Sequence, residues 1–255
     1  MKHSCCLKIF GFLILLFLEN SRDGFSQLQN NDCIVDLKKT FSTLNGQAKN
    51  VDQKIRYYKY SVFATPKKEK KVTSEIQKSN FEVFYNNKKS LVKNSNIESI
   101  QDKNISISIL PKEKTIFLSP GISLNEEYFK KAAGFASFLQ DSILDMSEVI
   151  NCEITGEDSL LRIKLKFNIK GRKVYNLTFM ELFLEKNLEM FKRIIFYYSP
   201  GEEYSQIEYV FDEYNLNYKT DLLQNPAAQY IFNSNNSLLD KYKGFKIIDN
   251  RRQKK

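Results

Sequence analysis

Residues 161–169 carry the clearest pattern in the chain: Leu161, Ile163, Leu165, Phe167 and Ile169 alternate with Arg162, Lys164, Lys166 and Asn168. A period of two sends the apolar set to one face of a strand and the basic-polar row to the other, toward solvent. The same period recurs from Ile55, where Tyr58, Tyr60, Val62 and Ala64 oppose Tyr57, Lys59 and Ser61. Residues 72–85, with Phe81, Val83 and Tyr85 on one side, predict the next strand, and Asn86-Asn87 a turn. A more polar strand over 91–101 follows. Ile105, Ile107 and Ile109 then alternate with serines, and Pro111 to Lys114 turns the chain into a strand over 115–119. Beyond residue 149, strands are predicted over 149–155, 173–185, 188–199 and 203–214, with a last pair at 229–232 and 245–248.

Two stretches break that rhythm with helical spacing. Ile34, Leu37, Phe41, Leu44 and Ala48 recur every three or four residues after Asn31 and Asp32, either of which can cap a helix. Ser123 and Glu126 have capping-box spacing, and Leu124, Tyr128, Ala132, Phe135, Leu139 and Ile143 form one stripe after them. The expectation is an α+β, mostly β chain: about ten or eleven strands in a single curved antiparallel sheet, with two helices on its concave face. No repeat or composition break divides it, so residues 27–255 read as one domain.

The first 26 residues read differently. Lys2 and Lys8 precede an uninterrupted apolar run at 9–18, and Gly24 and Ser26 supply the small residues that a signal peptidase requires. The run has about half the ~20 residues needed to span a bilayer. Export with cleavage near Ser26, giving a soluble periplasmic protein, is the expectation. The formal charge of +9 then becomes +8, as three basic and two acidic residues leave. Cys33 and Cys152 would remain in a compartment where a disulfide persists; a bond between them and two buried thiols are both consistent with the sequence.

The one histidine, His3, lies inside that leader, and there is no tryptophan. This removes Ser-His-Asp and Cys-His catalysis and histidine-held zinc from the mature chain. The paired acids Glu126-Glu127, Glu157-Asp158 and Glu202-Glu203 fall at a helix start or in turns, where the helix dipole or solvation explains them. Glu181, inside a strand, is the carboxylate that merits attention. The nine glycines are scattered, so no phosphate loop forms, and no loop is dense enough in Asp and Asn for calcium. The chain reads as a non-enzyme without metal or cofactor. The basic runs at 67–71 and 251–255 lack interleaved aromatics, which argues against nucleic acid and leaves solvated surface first and an anionic membrane surface second.

The order of these elements, together with Asp36-Leu37-Lys38-Lys39, Phe81-Glu82-Val83-Phe84-Tyr85, Asp102-Lys103-Asn104, Met180-Glu181-Leu182-Phe183-Leu184 and Ile247-Ile248-Asp249-Asn250-Arg251, resembles the periplasmic outer-membrane lipoprotein carriers, the LolA-like family. The resemblance implies an open half-barrel whose hydrophobic cavity, between sheet and helices, holds acyl chains or a lipidated protein. Its lining would be Tyr58, Tyr60, Val62, Phe81, Val83, Tyr85, Ile107, Ile163, Leu165 and Phe167 from the sheet, and Phe135 and Leu139 from the second helix. The alternative is a non-transporting periplasmic scaffold that binds a protein partner through the same fold. One position departs from the family: its lid-closing arginine would fall near residues 87–89, where this chain has Lys88 and Lys89. A lysine cannot reproduce a planar two-pronged hydrogen bond to backbone carbonyls.

Overall fold

The computed structural model describes residues 31–49, 54–67, 75–86, 88–121, 143–155, 160–185, 187–188 and 190–251. Helix α1 (Asn31–Lys49) is followed by β1 (Ile55–Pro66), β2 (Gln77–Tyr85), β3 (Ser90–Lys93), β4 (Glu98–Gln101), β5 (Ile105–Leu110) and β6 (Thr115–Pro120). Then come β7 (Ser147–Thr155), β8 (Leu160–Phe167), a short helix α2 (Ile169–Tyr175), β9 (Leu177–Glu185), β10 (Met190–Tyr198), β11 (Tyr204–Tyr218) and β12 (Lys246–Asp249). The fold is mostly β. Among the described residues twelve strands are hydrogen-bonded in the order β12-β6-β5-β4-β3-β2-β1-β11-β10-β9-β8-β7. Of the expected second helix, Ser123 to Met146, only the last four residues are described, and Ile143 to Asp145 are helical.

Four sequence expectations are corrected. The polar strand over 91–101 is two strands, because Asn94 Oδ1 accepts the amides of Asn96 and Ile97 (both 2.8 Å) and folds a tight turn between β3 and β4. That raises the strand count above ten or eleven. Residues 169–175 are helical: Asn168 caps the start through its side chain and Asn176, in the left-handed region, ends it. The stretch read as a strand from 173 therefore begins at Leu177. Residues 227–230 form a 3-10 turn. Their expected partner, β12, lies parallel to β6, with Ile247 opposite Ile116. The crossover that joins β11 to β12, residues 219–245, passes over the face of β2 to β6 to bring β12 to this edge.

Two compact units share the chain. The first takes residues 1–50, 62–78 and 129–211; the second takes 51–61, 79–128 and 212–255. In the first, register places Leu161, Ile163 and Leu165 of β8 beside Leu184, Leu182 and Met180 of β9. Those in turn sit beside Phe191, Ile194 and Phe196 of β10. The buried side of α1, Leu37 and Phe41, covers this face, with the Phe41 and Phe191 rings 5.5 Å apart. In the second, Phe84, Leu91, Ile100, Ile107 and Leu118 stand directly opposite one another across β2 to β6. Leu223, Ala227, Ile231 and Tyr242 of the crossover pack on that row.

Candidate functional site

The expected cavity residues divide between different surfaces. In the second unit, Tyr58, Tyr60, Phe81, Val83 and Tyr85 share one face of β1 and β2. The Tyr58 and Tyr85 rings stack at 5.7 Å with their hydroxyls 3.3 Å apart, and Tyr60 stacks on Phe81 at 5.1 Å. Tyr214 of β11 meets Tyr58 edge-on at 5.2 Å. Arg56 lies over the Tyr85 ring at 5.8 Å. Tyr58 and Tyr60 are buried, whereas Phe81, Val83 and Tyr85 are only half-buried. Burial pushes the phenols of Tyr58, Tyr60 and Tyr214 above their ordinary value, and the neighbouring Tyr85 adds to the effect at Tyr58. This face therefore offers neutral rings and hydroxyls.

Ile107 does not belong to it. It stands opposite Ile100 and Leu118, in the row with Phe84, and Phe84 points away from Val83 and Tyr85 because neighbours along a strand alternate. The Ile107 side is filled by the crossover. Tyr57 also belongs there, with its ring 4.8 Å from Phe84 and 4.6 Å from Tyr218. So β1 is buried on both faces, and its run of tyrosines reflects two different environments.

The crossover is held by two charged residues that alternation alone does not reveal. Lys89 Nζ donates to the carbonyls of Leu223, Gln224 and Asn225, each at 2.9 Å. A tetrahedral ammonium has three donors to give, so lysine achieves here with three bonds what a two-pronged guanidinium would do with two. Asn86 aims it by folding its own turn, Oδ1 accepting the amides of Lys88 and Lys89. Asp102 uses Oδ1 for its own turn, from Asn104 and Ile105, and Oδ2 for the buried amide of Ala227 at 2.9 Å. Burial by itself would raise the Asp102 pKa. The amides of Ala227, Asn104 and Ile105 and the charge of Lys89 outweigh it, and the carboxyl lies below its ordinary range. The sequence signal was present in Asn86 and Asp102 as turn formers, but the tertiary partners of Lys89 and Asp102 lie more than a hundred residues away.

In the first unit, Ile163, Leu165 and Phe167 are fully buried on one face of β8, Phe167 beside Tyr175 of α2, and Val62 is buried. Cys152 lies opposite Ile163 and so projects toward the same side as α1. It is disulfide-bonded to Cys33 in the first turns of that helix, with the Cα atoms 6.4 Å apart. Phe135 and Leu139 lie outside the described residues.

The basic row is not simply a solvated face. Glu181, 3% exposed, takes Arg162 Nη2 at 2.8 Å and Lys164 Nζ at 2.9 Å. Burial pushes its pKa up, the bonds from Lys164 and Arg162 push it down further, and the net direction is down. An ionised carboxylate held between two cations is a structural counter-ion, poorly suited to accept a proton from a substrate. Among the described residues no helix is long and apolar enough to cross a membrane.

No protein-family model matches the sequence, and no curated protein matches it. Solved structures do resemble the chain. A LolA superfamily protein of Nitrosomonas europaea shares 8% identity over 69% of this chain and 93% of its own, with a TM-score of 0.27. A domain assigned to outer membrane lipoprotein sorting, from Vibrio parahaemolyticus, shares 8% over 72% and 90%, with 0.29. A conserved protein of Thermus thermophilus shares 10% over 86% and 98%, with 0.40.

Proposed function

We propose that this chain is an exported envelope protein, soluble after loss of residues 1–26, that binds a long acyl chain on the Tyr58–Tyr60–Phe81–Val83–Tyr85 face, free or as the lipid of a lipoprotein. The observation that supports this reading is the contrast between the two sides of β1 and β2. One side is filled by the chain's own crossover and pinned by Lys89 and Asp102. The other carries stacked aromatic rings, of which Phe81 and Tyr85 keep part of their surface open. Each methylene withdrawn from water there contributes about 0.8 kcal/mol, so a partly enclosed chain of modest length reaches micromolar affinity. Neutral phenols impose no charge that the ligand must match.

The test is displacement of a fluorescent hydrophobic probe by fatty acid or lipopeptide. Wild-type protein should bind the probe and release it to either competitor. Phe81→Arg, at a half-buried position, should remain folded and bind at least tenfold more weakly. A wild type that takes up no probe and carries no lipid from its host would leave the fold to serve a protein partner instead.

A further inference from the structure

Helix α2 presents an outward face that the acyl-binding reading does not use. At about 100° per residue, Gly171 and Tyr175 share one direction, and Ile169, Lys170, Lys173 and Val174 fan around the opposite one. The packing agrees. A Cβ on Gly171 would lie 2.6 Å from the Met146 carbonyl oxygen, so the helix sits there at backbone contact, and Tyr175 rests on Phe167 at 5.7 Å. Ile169 is 71% exposed and Val174 56%. Lys170, Arg172 and Lys173 surround them, all exposed, and no acidic residue occurs between Lys166 and Asn176. Lys166 is offset by Glu148 at 3.4 Å.

This element is fixed in place. The Asn168 side chain accepts the Gly171 amide at 2.9 Å, and the Asn168 amide bonds the Met146 carbonyl at 2.9 Å. Arg172 Nε donates to the Phe167 carbonyl at 3.1 Å. At the far end the Asn176 carbonyl accepts the Ser199 amide at 2.7 Å, and Ser199 in turn accepts Lys67 Nζ at 2.6 Å, which brings a further cation to this end of the unit. A single exposed aliphatic residue needs no explanation. Two of them, held outward on an anchored helix whose own residues include three cations and no acid, with exposed Asp145 at its N-terminal end, match the composition of a surface that enters a lipid headgroup layer.

We propose that α2 docks the protein on an anionic membrane surface, with Ile169 and Val174 entering the headgroup–acyl boundary and Lys170, Arg172 and Lys173 meeting the lipid phosphates. The aliphatic pair favours lipid over an acidic polymer, which would take the cations and leave Ile169 and Val174 in water. This docking does not depend on acyl binding, and either can fail without the other.

The experiment is flotation of the exported chain, as recovered from cells, with vesicles of phosphatidylcholine alone or mixed with phosphatidylglycerol. Binding is expected only to the mixed vesicles, and it should weaken as salt is raised. The double substitution Lys170→Glu and Lys173→Glu should lower it by roughly twentyfold or more, since each cation near such a surface is worth about fivefold. Ile169→Ser with Val174→Ser should lower it several-fold. All four positions face solvent, so the melting temperature of both variants should stay at the wild-type value. Lys254→Glu with Lys255→Glu, an equal change of net charge at the chain end, should leave binding intact. Absence of wild-type binding, equal loss from the tail substitutions, or full binding by the serine variant would each overturn the proposal; the second would assign the attraction to net charge, the third to an acidic polymer site.

Discussion

The two units cover equivalent apolar rows with different materials. In the first, the row through Leu161, Leu184 and Phe191 lies under α1, a nineteen-residue helix whose backbone bonds are made internally. Such a cover needs only apolar contact and an anchor, and the Cys33–Cys152 disulfide is that anchor. In the second, the row through Phe84, Ile100 and Ile107 lies under an irregular crossover with two short 3-10 turns. Irregular backbone pressed on an apolar face brings amides and carbonyls that have no ladder to join, and each must find a partner or pay the desolvation penalty. Asp102 takes a buried amide and Lys89 takes three carbonyls. A helical cover can be stapled by a covalent bond; a coil cover requires charged side chains at its backbone.

The strongest challenge to this contrast comes from the rows themselves. Phe167→Ala, at a fully buried site of the first unit, should cost about 3–5 kcal/mol, and Ile107→Ala in the second about 2–5 kcal/mol. Denaturant titration measures both. A cost near zero at Ile107 would mean that the crossover does not seal its face.

Cutting the covalent anchor comes next. The bond spans 119 residues, and Cys152→Ser should cost about 2–5 kcal/mol by freeing the unfolded chain and loosening α1. Hydrogen exchange sharpens the point: amides of β8 to β10 should lose protection while those of β4 to β6 keep theirs. Uniform loss across both sets would show that the two covers are not independent.

The charged staple of the second unit should respond to substitution and to acid. Asp102→Ala leaves the Ala227 amide buried without its acceptor and should cost about 1–3 kcal/mol. Asp102 and Glu181 both titrate below the ordinary carboxylate range in the folded chain. Their stabilising effect is therefore complete above the unfolded value, about pH 4, and is lost as pH falls through the lowered folded values. A thermal melt followed downward from about pH 5, just above that window, should fall less steeply in Asp102→Asn than in the wild type. Lys89→Met should cost less, about 1 kcal/mol, because water can reach part of the carbonyl cluster.

The smallest effects separate the two kinds of lysine on β8. Lys164→Ala removes one of the cations on buried Glu181 and should cost about 1 kcal/mol, Arg162 keeping the other contact. Lys166→Ala, in an exposed pair with Glu148, should change stability by less than about 0.5 kcal/mol. Equal values would return the row to plain solvated surface, as its alternation first implied.

Much of this architecture was legible in one dimension. A strand whose two faces meet different environments writes a period of two, so β5, β6 and β8 were readable, and Leu37 and Phe41 mark the buried side of α1 at helical spacing. Those signals are local, because each residue's environment follows from its neighbours in sequence. The same logic failed where both faces are covered. Tyr57 and Tyr58 are equally buried, and nothing in the run of tyrosines says that one meets Phe84 and the other Tyr85. It failed at Ile107, since alternation sorts residues within a strand and says nothing about which side of the next strand is the matching one; register decides that. Sequence alone determined most of the strands, the first helix and the sidedness of the strands that alternate cleanly, β5, β6 and β8. Register and tertiary contact decided which sides join, that Cys33 meets Cys152, and that Lys89 and Asp102 hold a segment far along the chain, because an amide or carbonyl needing a partner leaves no mark on the residues around the side chain that supplies it.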